Sequence, residues 1–313
     1  MAPVVPPPSA ASTPETGGLL TRLRIGRTRS YATPDWPSFA SEDWLARIMS
    51  ETVTDRLHEK QGRAIARWTL TNASGEKLIV YLKRHFVLPR KHGILSALWP
   101  RSAYSPGWEE LQNLQWAEAS GLPIARVTAA AEYLGPWGRL QSVIAVEELT
   151  GMIGLHEAVP LAMRTLNASD FARWKCGLFR ELARLSRELH RRRTFHKDLY
   201  FCHFYILESD CAEVPEAWAG RVRVIDFHRM AQHRLGWQWF LVKDLAQLMY
   251  SSEVPGVTVR DRLRFWKHYR EGDWQPVSVP GHWMRSIIAR KYRLYANQSI
   301  RREKRERRKA EAV

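Results

Sequence analysis

Residues 196–205 read HKDLYFCHFY, and this stretch decides how the rest of the chain is interpreted. It follows a segment in which large apolar side chains recur at intervals of three and four residues. These are Phe171, Trp174, Leu178, Leu182, Leu185 and Leu189. That spacing predicts a long amphipathic helix that starts near Asn167 and ends in the basic run 190–193. The sequence therefore places His196 and Asp198 just beyond the end of a long helix.

The part of the chain before residue 150 is predicted to be mainly strands. Residues 64–70 and 78–83 flank the turn signal NASG and predict one β-hairpin. Residues 127–133 and 140–146 predict a second one. Between the two hairpins, Ser105 and the proline that follows it are expected to start a single strong helix.

The chain becomes mainly helical after residue 150, so we predict an α+β fold with two lobes. We expect a β-rich N-lobe with one helix at residues 19–148 and a mainly helical C-lobe at 149–300. A Pro- and Ser-rich leader at 1–18 is predicted to be disordered, and a basic tail occupies 301–313.

The 313 residues carry a formal net charge of +16, and the chain is 45% hydrophobic, which excludes a wholly disordered protein. Ten basic and two acidic residues lie between Arg290 and Lys309, so half of the surplus is near one end. Three cysteines without CxxC spacing argue against a disulfide framework and a zinc knuckle. No secretory signal and no apolar stretch of membrane-spanning length are found, so we expect a cytoplasmic protein.

Four candidate catalytic features follow one another along the chain. They are Lys83 at the end of an apolar strand, Glu110 on the predicted helix, Asp198 in the HKD segment, and Asp226 after the run VRVI. Phosphoryl transfer needs a cation on the nucleotide phosphates, an anion that holds this cation, a carboxylate that orients the attacking hydroxyl and a carboxylate for Mg²⁺. The four residues match these roles in that order, with Glu109 as the alternative to Glu110.

Each feature also has a plainer interpretation. A lysine that ends a strand commonly extends into solvent. The negative charge of a glutamate in the first turn of a helix interacts favourably with the helix dipole. An aspartate after a strand is commonly a turn residue. The order of the four features, together with their strand and helix contexts, is what favours catalysis.

The segment around Asp198 resembles the catalytic loop of the lipopolysaccharide core heptose kinases, the Kdo/WaaP-type family, whose loop reads like HRDxYxxHF. IDFHR at 225–229 resembles the IDLHR segment of that family, YLKRH at 81–85 its strand lysine, and KDLAQL at 243–248 a later helix. The resemblance extends from about Thr54 to Tyr250. It implies a protein-kinase-like bilobal fold.

The resemblance also implies an ATP- and Mg²⁺-dependent phosphotransferase that acts on an alcohol group of a lipid-linked glycan, a heptose or Kdo of the lipopolysaccharide core. Lys83, Glu110 and Asp198 would be catalytic, and Lys83 would hold the ATP phosphates. Backbone groups near Glu148 and Leu149, between the two lobes, would contact the adenine.

Asp226 would bind the metal. His203 stands where protein kinases have a metal-binding asparagine. Imidazole is a poor ligand for Mg²⁺, so either one metal ion suffices or His203 contacts phosphate or a backbone group. A metal ligand and a structural histidine tied into the loop both remain open for His203.

The anionic partners expected for the basic charge are ATP, the glycolipid and the inner face of the cytoplasmic membrane, which the tail would contact as a peripheral anchor. No nucleic-acid-binding motif accompanies the charge, so nucleic acid ranks last. A small-molecule or protein kinase of the same fold and a non-catalytic pseudokinase scaffold remain the alternative functions.

Overall fold

The computed structural model describes residues 20, 23–24, 26–53, 56–60, 62–99, 102–271 and 285–297. The chain divides into two compact units. Unit 1 comprises Met1–Ser120 and Ala125–Leu149, and unit 2 comprises Gly121–Ile124 and Thr150–Val313. The predicted leader at 1–18 and the predicted tail at 301–313 lie outside the described residues.

Unit 1 is built on a six-stranded antiparallel sheet with the strand order β1-β5-β6-β4-β3-β2. The strands are β1 (Arg27–Ala32), β2 (Arg56–Lys60), β3 (Arg63–Thr71), β4 (Lys77–His85), β5 (Val127–Gly135) and β6 (Arg139–Glu147). Both predicted hairpins, β3–β4 and β5–β6, are confirmed. In β4 the side chains of Leu78, Val80 and Leu82 are buried in alternation with more exposed neighbours, the period that a half-buried strand requires.

The helices of unit 1 are α1 (Trp36–Ala40), α2 (Trp44–Arg47), α3 (Arg90–Leu98) and α4 (Pro106–Ala119). Helix α4 starts where the sequence predicted, because the side chain of Ser105 accepts a hydrogen bond from the backbone of Trp108. Helix α3 was not anticipated, since its sequence RKHGILSAL has a central glycine and no clear apolar stripe. Trp36 and Trp44 pack edge to face over the apolar face of the sheet.

Unit 2 is mainly helical, with α5 (Leu155–Thr165), α6 (Ala168–Arg191), α7 (Trp237–Ser251), α8 (Val259–Tyr269) and α9 (285–297). Its short strands are β7 (Met152–Gly154), β8 (Thr194–Phe195), β9 (Phe204–Leu207), β10 (Arg223–Val224) and β11 (Ala231–Gln232). Helix α6 has the predicted amphipathic pattern and is capped by Asn167. The sequence pattern also predicts a C-terminal helix at 284–308, and of this range the structure describes 285–297, which is helical.

Residues 121–124 belong to unit 2 although they follow α4 of unit 1 in the chain. The backbone N–H of Val224 donates to the carbonyl of Pro123 at 2.9 Å, and Ile124 forms a parallel bridge with Val224. These backbone contacts tie the segment to strand β10. The division between the units is therefore not the single cut after residue 148 that we expected from the sequence. Among the helices of the described part of the chain, none is both long and apolar enough to cross a bilayer.

Candidate active site

The HKD segment is held by a buried carboxylate of helix α7. Asp244 is fully buried, and its two carboxylate oxygens accept the backbone N–H groups of His196 and Lys197, each at 2.8 Å. Lys197 has a φ of +64°, in the left-handed region that non-glycine residues seldom adopt. A strained backbone persists only where its surroundings enforce it, and Asp244 supplies part of that enforcement here. The residue after Lys197 is Asp198, so this clamp fixes where the Asp198 side chain starts.

Cationic and amide groups surround the Asp198 carboxylate. The Arg229 guanidinium donates to both of its oxygens, at 3.2 and 3.0 Å. The Lys243 ammonium lies 3.8 Å from Oδ1, and the Gln247 amide donates to the same oxygen at 3.4 Å. Lys243 also donates to the carbonyl of Lys197. Burial lowers the pKa of Lys243 below its usual value, although Asp198 opposes that shift.

Asp226 lies two residues beyond the end of β10 and also has a left-handed backbone, with φ at +69°. One of its carboxylate oxygens contacts His228 Nδ1. The other lies 3.7 Å from His203 Nε2. Lys197 and Asp226 are two of the three non-glycine residues with positive φ in the described part of unit 2, and the third is Arg193. Such backbone strain is common at functional sites.

The His203 ring lies between the HKD segment and Asp226. Its Nδ1 is 2.8 Å from the backbone carbonyl of Asp198. Since a carbonyl only accepts hydrogen bonds, Nδ1 carries the hydrogen, and in the neutral ring the Nε2 lone pair faces the Asp226 carboxylate. Two electron-pair donors that face each other suit a cation. The Asp226 carboxylate suits Mg²⁺, for which the His203 imidazole is a poorer ligand, and phosphate oxygens and water usually supply most of the ligands of this ion. Among the described residues, no group of three or more His, Cys, Asp or Glu side chains is arranged to hold a metal ion.

In unit 1, the structure brings Lys83 and Glu110 together. Lys83 Nζ lies 2.6 Å from Glu110 Oε1, and both side chains are largely buried. The alternative, Glu109, is exposed on the same helix. Lys83 is held in β4 by pairing with Ile65 on one side and Ile144 on the other, so its backbone is fixed in the middle of the sheet.

We expected the segment at Glu148 and Leu149 to contact adenine. One backbone N–H group of this segment already donates a hydrogen bond within the protein. The backbone N–H of Glu148 donates to the carbonyl of Ile79 at 2.9 Å. The Glu148 side chain is engaged as well, because Arg67 donates to both carboxylate oxygens and Tyr81 donates to one of them. The hydrogen bonds from Arg67 and Tyr81 hold the pKa of Glu148 below its usual range. Among the described residues, the Glu148 carbonyl and the backbone of Leu149 have no backbone partner outside the regular helices and strands, so these groups could bind a ligand.

Four residues at this site were not assigned a role from the sequence: Asp244, Arg229, Lys243 and Gln247. Asp244 and Lys243 are charged neighbours in an otherwise largely apolar helix, and a buried charge at such a position is a signal that could have revealed them. The role of Arg229 has no comparable signal, because only the fold brings it to Asp198.

The chain that carries the HKD loop and the left-handed aspartate in unit 2, and the strand lysine in unit 1, matches the lipopolysaccharide kinase (Kdo/WaaP) family over residues 54–269. The chain belongs to this family. The fold agrees with that of a solved structure described as WaaP in complex with acyl carrier protein, with a TM-score of 0.63 at 22% identity. That likeness covers 85% of this chain and 98% of the solved one. The expected α+β, protein-kinase-like fold is confirmed.

Curated Kdo/WaaP-family relatives include lipopolysaccharide core heptose(I) kinases WaaP. The protein of Pseudomonas aeruginosa is 29% identical over 176 residues, which is 56% of this chain and 62% of that protein. A protein of Escherichia coli is 34% identical over 129 residues, 41% of this chain and 46% of its own length. The chain thus covers less than two thirds of the first of these relatives and about half of the second.

Proposed function

We propose that this chain is an ATP-dependent kinase that phosphorylates a sugar hydroxyl, of heptose or Kdo, in the lipopolysaccharide core. The observation that carries the proposal is the His203 ring between the Asp198 carbonyl and the Asp226 carboxylate, in a chain of the Kdo/WaaP family. The heptose(I) kinase relatives support the acceptor class. Unit 1 would bind the nucleotide, and unit 2 would carry the catalytic loop.

In the proposed reaction, Asp198 accepts a hydrogen bond from the acceptor hydroxyl and takes its proton. The hydroxyl oxygen bonds to the γ-phosphorus while the bond to the β,γ-bridging oxygen breaks, so that ADP leaves. Gln247, which donates both to Asp198 and to the Tyr200 hydroxyl, would orient the carboxylate. Lys83 would hold the ATP phosphates, and Glu110 would keep the Lys83 ammonium in place.

Asp226 and His203 would hold Mg²⁺. When bound, Mg²⁺ neutralises phosphate charge. For the adenine we propose the Glu148 carbonyl and the Leu149 backbone as partners, since the Glu148 N–H is already bonded to Ile79. We further propose that the protein works in the cytoplasm at the inner face of the membrane that carries its glycolipid acceptor.

The test is transfer of labelled phosphate from ATP to lipopolysaccharide core acceptors by the full-length protein. Asp198→Asn should lower kcat by about 10²- to 10⁴-fold, because the general base is lost. Lys83→Met should lower it by about 10²-fold or more, because the phosphates lose their cation. Asp170→Asn and Lys77→Met are the matched controls, since they remove a surface carboxylate and an exposed lysine of the same strand.

Unchanged transfer by folded Asp198→Asn would refute the assigned role. A small-molecule or protein kinase would instead phosphorylate other acceptors in a panel and leave the core sugars unmodified. A pseudokinase scaffold would show no transfer to any acceptor and no nucleotide-dependent rise in melting temperature.

We propose an acyl carrier protein as a second partner, and one cavity of unit 2 supports this proposal. A cavity of about 240 Å³ lies among α6, α7, α8 and α9. Its wall includes Leu248, Met249 and Trp266, with Arg262 and Arg285 among the few charged residues. The fold neighbour is described as a complex with acyl carrier protein. We propose that this chain binds such a carrier and that the cavity receives its acyl group.

The carrier proposal is tested by binding of acylated and unacylated carrier to the full-length protein. Met249→Trp fills the cavity and should weaken binding of the acylated form alone. Met163→Trp, at an exposed position of α5, is the control. Equal affinity of both carrier forms for wild-type protein would contradict the assignment of the cavity.

A further inference from the structure

The tip of the β5–β6 hairpin exposes a tryptophan on a strained backbone. Trp137 is 60% exposed and has a φ of +56°. It precedes Gly138, which also has a positive φ, in a turn closed by a hydrogen bond from the backbone of Arg139 to the carbonyl of Pro136. Glycine or asparagine would adopt this conformation at lower cost than a bulky aromatic residue. An exposed side chain gains little from packing, so the folded chain alone gives no reason for tryptophan here.

Helix α3 packs closely against this turn. A Cβ on Gly93 would lie 2.2 Å from the carbonyl oxygen of Gly138, so the helix and the turn touch through their backbones. A Cβ on Gly138 would lie 3.0 Å from the side chain of Ile94. Beneath this contact, Ala97 packs with Leu134 and Leu140 in a small core of its own. The turn and the helix therefore present one continuous surface.

The exposed side of α3 continues the apolar character of the turn. Ile94 is 42% exposed, Leu98 lies one helical turn further and is 37% exposed, and Trp99 at the end of the helix is 56% exposed. We call Ile94, Leu98, Trp99 and Trp137 the tryptophan surface. Soluble proteins seldom cluster large exposed apolar residues without a binding role.

The charges around the tryptophan surface have one sign. Arg90, Lys91 and Arg139 are exposed, and none of them pairs with a carboxylate in the described part of the chain. Residues 86–99 and 134–141 contain no acidic residue. The nearest preceding carboxylate, Glu132, is buried and paired with Arg29 at 2.8 Å. In these two segments an anionic ligand would meet positive charge and no carboxylate.

We propose that the tryptophan surface binds an anionic lipid bilayer, with the ring of Trp137 in the headgroup layer. Tryptophan is favoured at the membrane interface because its ring is apolar and its N–H is polar. The aliphatic side chains of α3 enter the upper acyl region, while Arg90, Lys91 and Arg139 contact lipid phosphates. This surface is distinct from the basic tail, which the sequence alone suggested as the membrane contact.

The test is co-sedimentation of the full-length protein with vesicles of phosphatidylcholine alone and of phosphatidylcholine mixed with phosphatidylglycerol. No nucleotide or sugar is present, so the result does not depend on the proposed kinase activity. Wild-type protein should bind the mixed vesicles more tightly. Trp137→Asn should weaken this binding by about tenfold or more without lowering the melting temperature, because asparagine tolerates the left-handed turn.

Two further variants separate charge from aromatic character. Arg139→Gln should weaken binding to the mixed vesicles by about fivefold and leave binding to phosphatidylcholine unchanged. Trp239→Ala, which removes an equally exposed tryptophan of unit 2, should bind like the wild type. The proposal is overturned if Trp137→Asn binds as well as the wild type, or if only removal of residues 301–313 abolishes binding.

Discussion

The buried carboxylate of Asp244 accepts the backbone N–H of Lys197 at 2.8 Å, and this bond reaches across 47 residues to the loop that carries Asp198. The same carboxylate accepts the N–H of His196 and lies 3.3 Å from His190 Nε2. A single side chain of α7 thereby satisfies two backbone donors of the loop that would otherwise be buried and unpaired. We expect Asp244 to be a positioning residue, since its hydrogen bonds go to the backbone of the loop.

Replacement of Asp244 by asparagine should lower kcat in the core-sugar assay more than it changes KM for ATP. The amide offers one acceptor oxygen where the loop presents two N–H donors, so the loop loses its fixed conformation. The unfolding free energy should fall by about 1–3 kcal/mol, as for an unsatisfied buried donor. Parallel kinetics and denaturant unfolding measure both effects.

The control for Asp244 is Asp261→Asn, at a buried carboxylate of α8 whose hydrogen bonds lie elsewhere in unit 2. It should lower stability while kcat is retained. If both variants reduced kcat in proportion to stability, the positioning role of Asp244 would be rejected.

The pH dependence of the reaction should show whether the positive charge of Lys243 supports phosphoryl transfer. Burial lowers its pKa, so the ammonium next to Asp198 loses its proton at a lower pH than an ordinary lysine does. If the charge at this position supports transfer, activity declines as the pH rises through this lowered pKa. Lys243→Arg keeps the charge at all accessible pH values and should move the alkaline limb of the rate profile to higher pH. An unchanged alkaline limb would assign that limb to another group.

The Lys175–Asp261 pair should be a strong contributor to the stability of unit 2. Lys175 Nζ lies 2.7 Å from Asp261 Oδ2 and 2.7 Å from the carbonyl of Gly256, and both charged side chains are almost fully buried. Lys175→Met removes the more buried of two cations that contact Asp261, since Arg264 Nη1 still lies 3.1 Å from its Oδ1. The loss should cost about 1.5–3 kcal/mol of unfolding free energy, as for a hydrogen bond to a charged group. Arg173→Met, at an exposed ion pair two residues away, should cost less than about 1 kcal/mol. Urea unfolding of both variants provides the comparison.

Asp261 should also contribute to acid unfolding. Burial alone would raise the pKa of Asp261, but hydrogen bonds from Lys175 and Thr258 outweigh burial and hold this pKa below its usual value in the folded protein. A lowered carboxyl pKa contributes stability above the unfolded pKa, and this stability is lost as the pH falls through the folded pKa. The Asp261→Asn variant should therefore lose less stability than the wild type below about pH 4. Identical acid titrations of the two proteins would argue against this linkage.

Local pattern was enough to predict the elements on which the site is built. The hairpins β3–β4 and β5–β6 and the helices α4 and α6 follow from turn residues, capping residues and apolar spacing, which act over a few neighbouring positions. Helix α3 escaped prediction because its stability comes from the backbone contact of Gly93 with a hairpin that lies more than 40 residues further along the chain. The same holds for residues 121–124, whose place is set by hydrogen bonds to β10.

The sequence by itself determined the identities and order of Lys83, Glu110, Asp198 and Asp226, and with them the family to which the chain belongs. Only the tertiary structure decided that Glu110 and not Glu109 pairs with Lys83, that Asp244 fixes the loop and that Arg229 covers Asp198. It also decided that the backbone N–H of Glu148 donates a hydrogen bond to the carbonyl of Ile79. The physical reason is that the sequence specifies the type of each side chain, whereas the partner of that side chain depends on which distant segments pack against it.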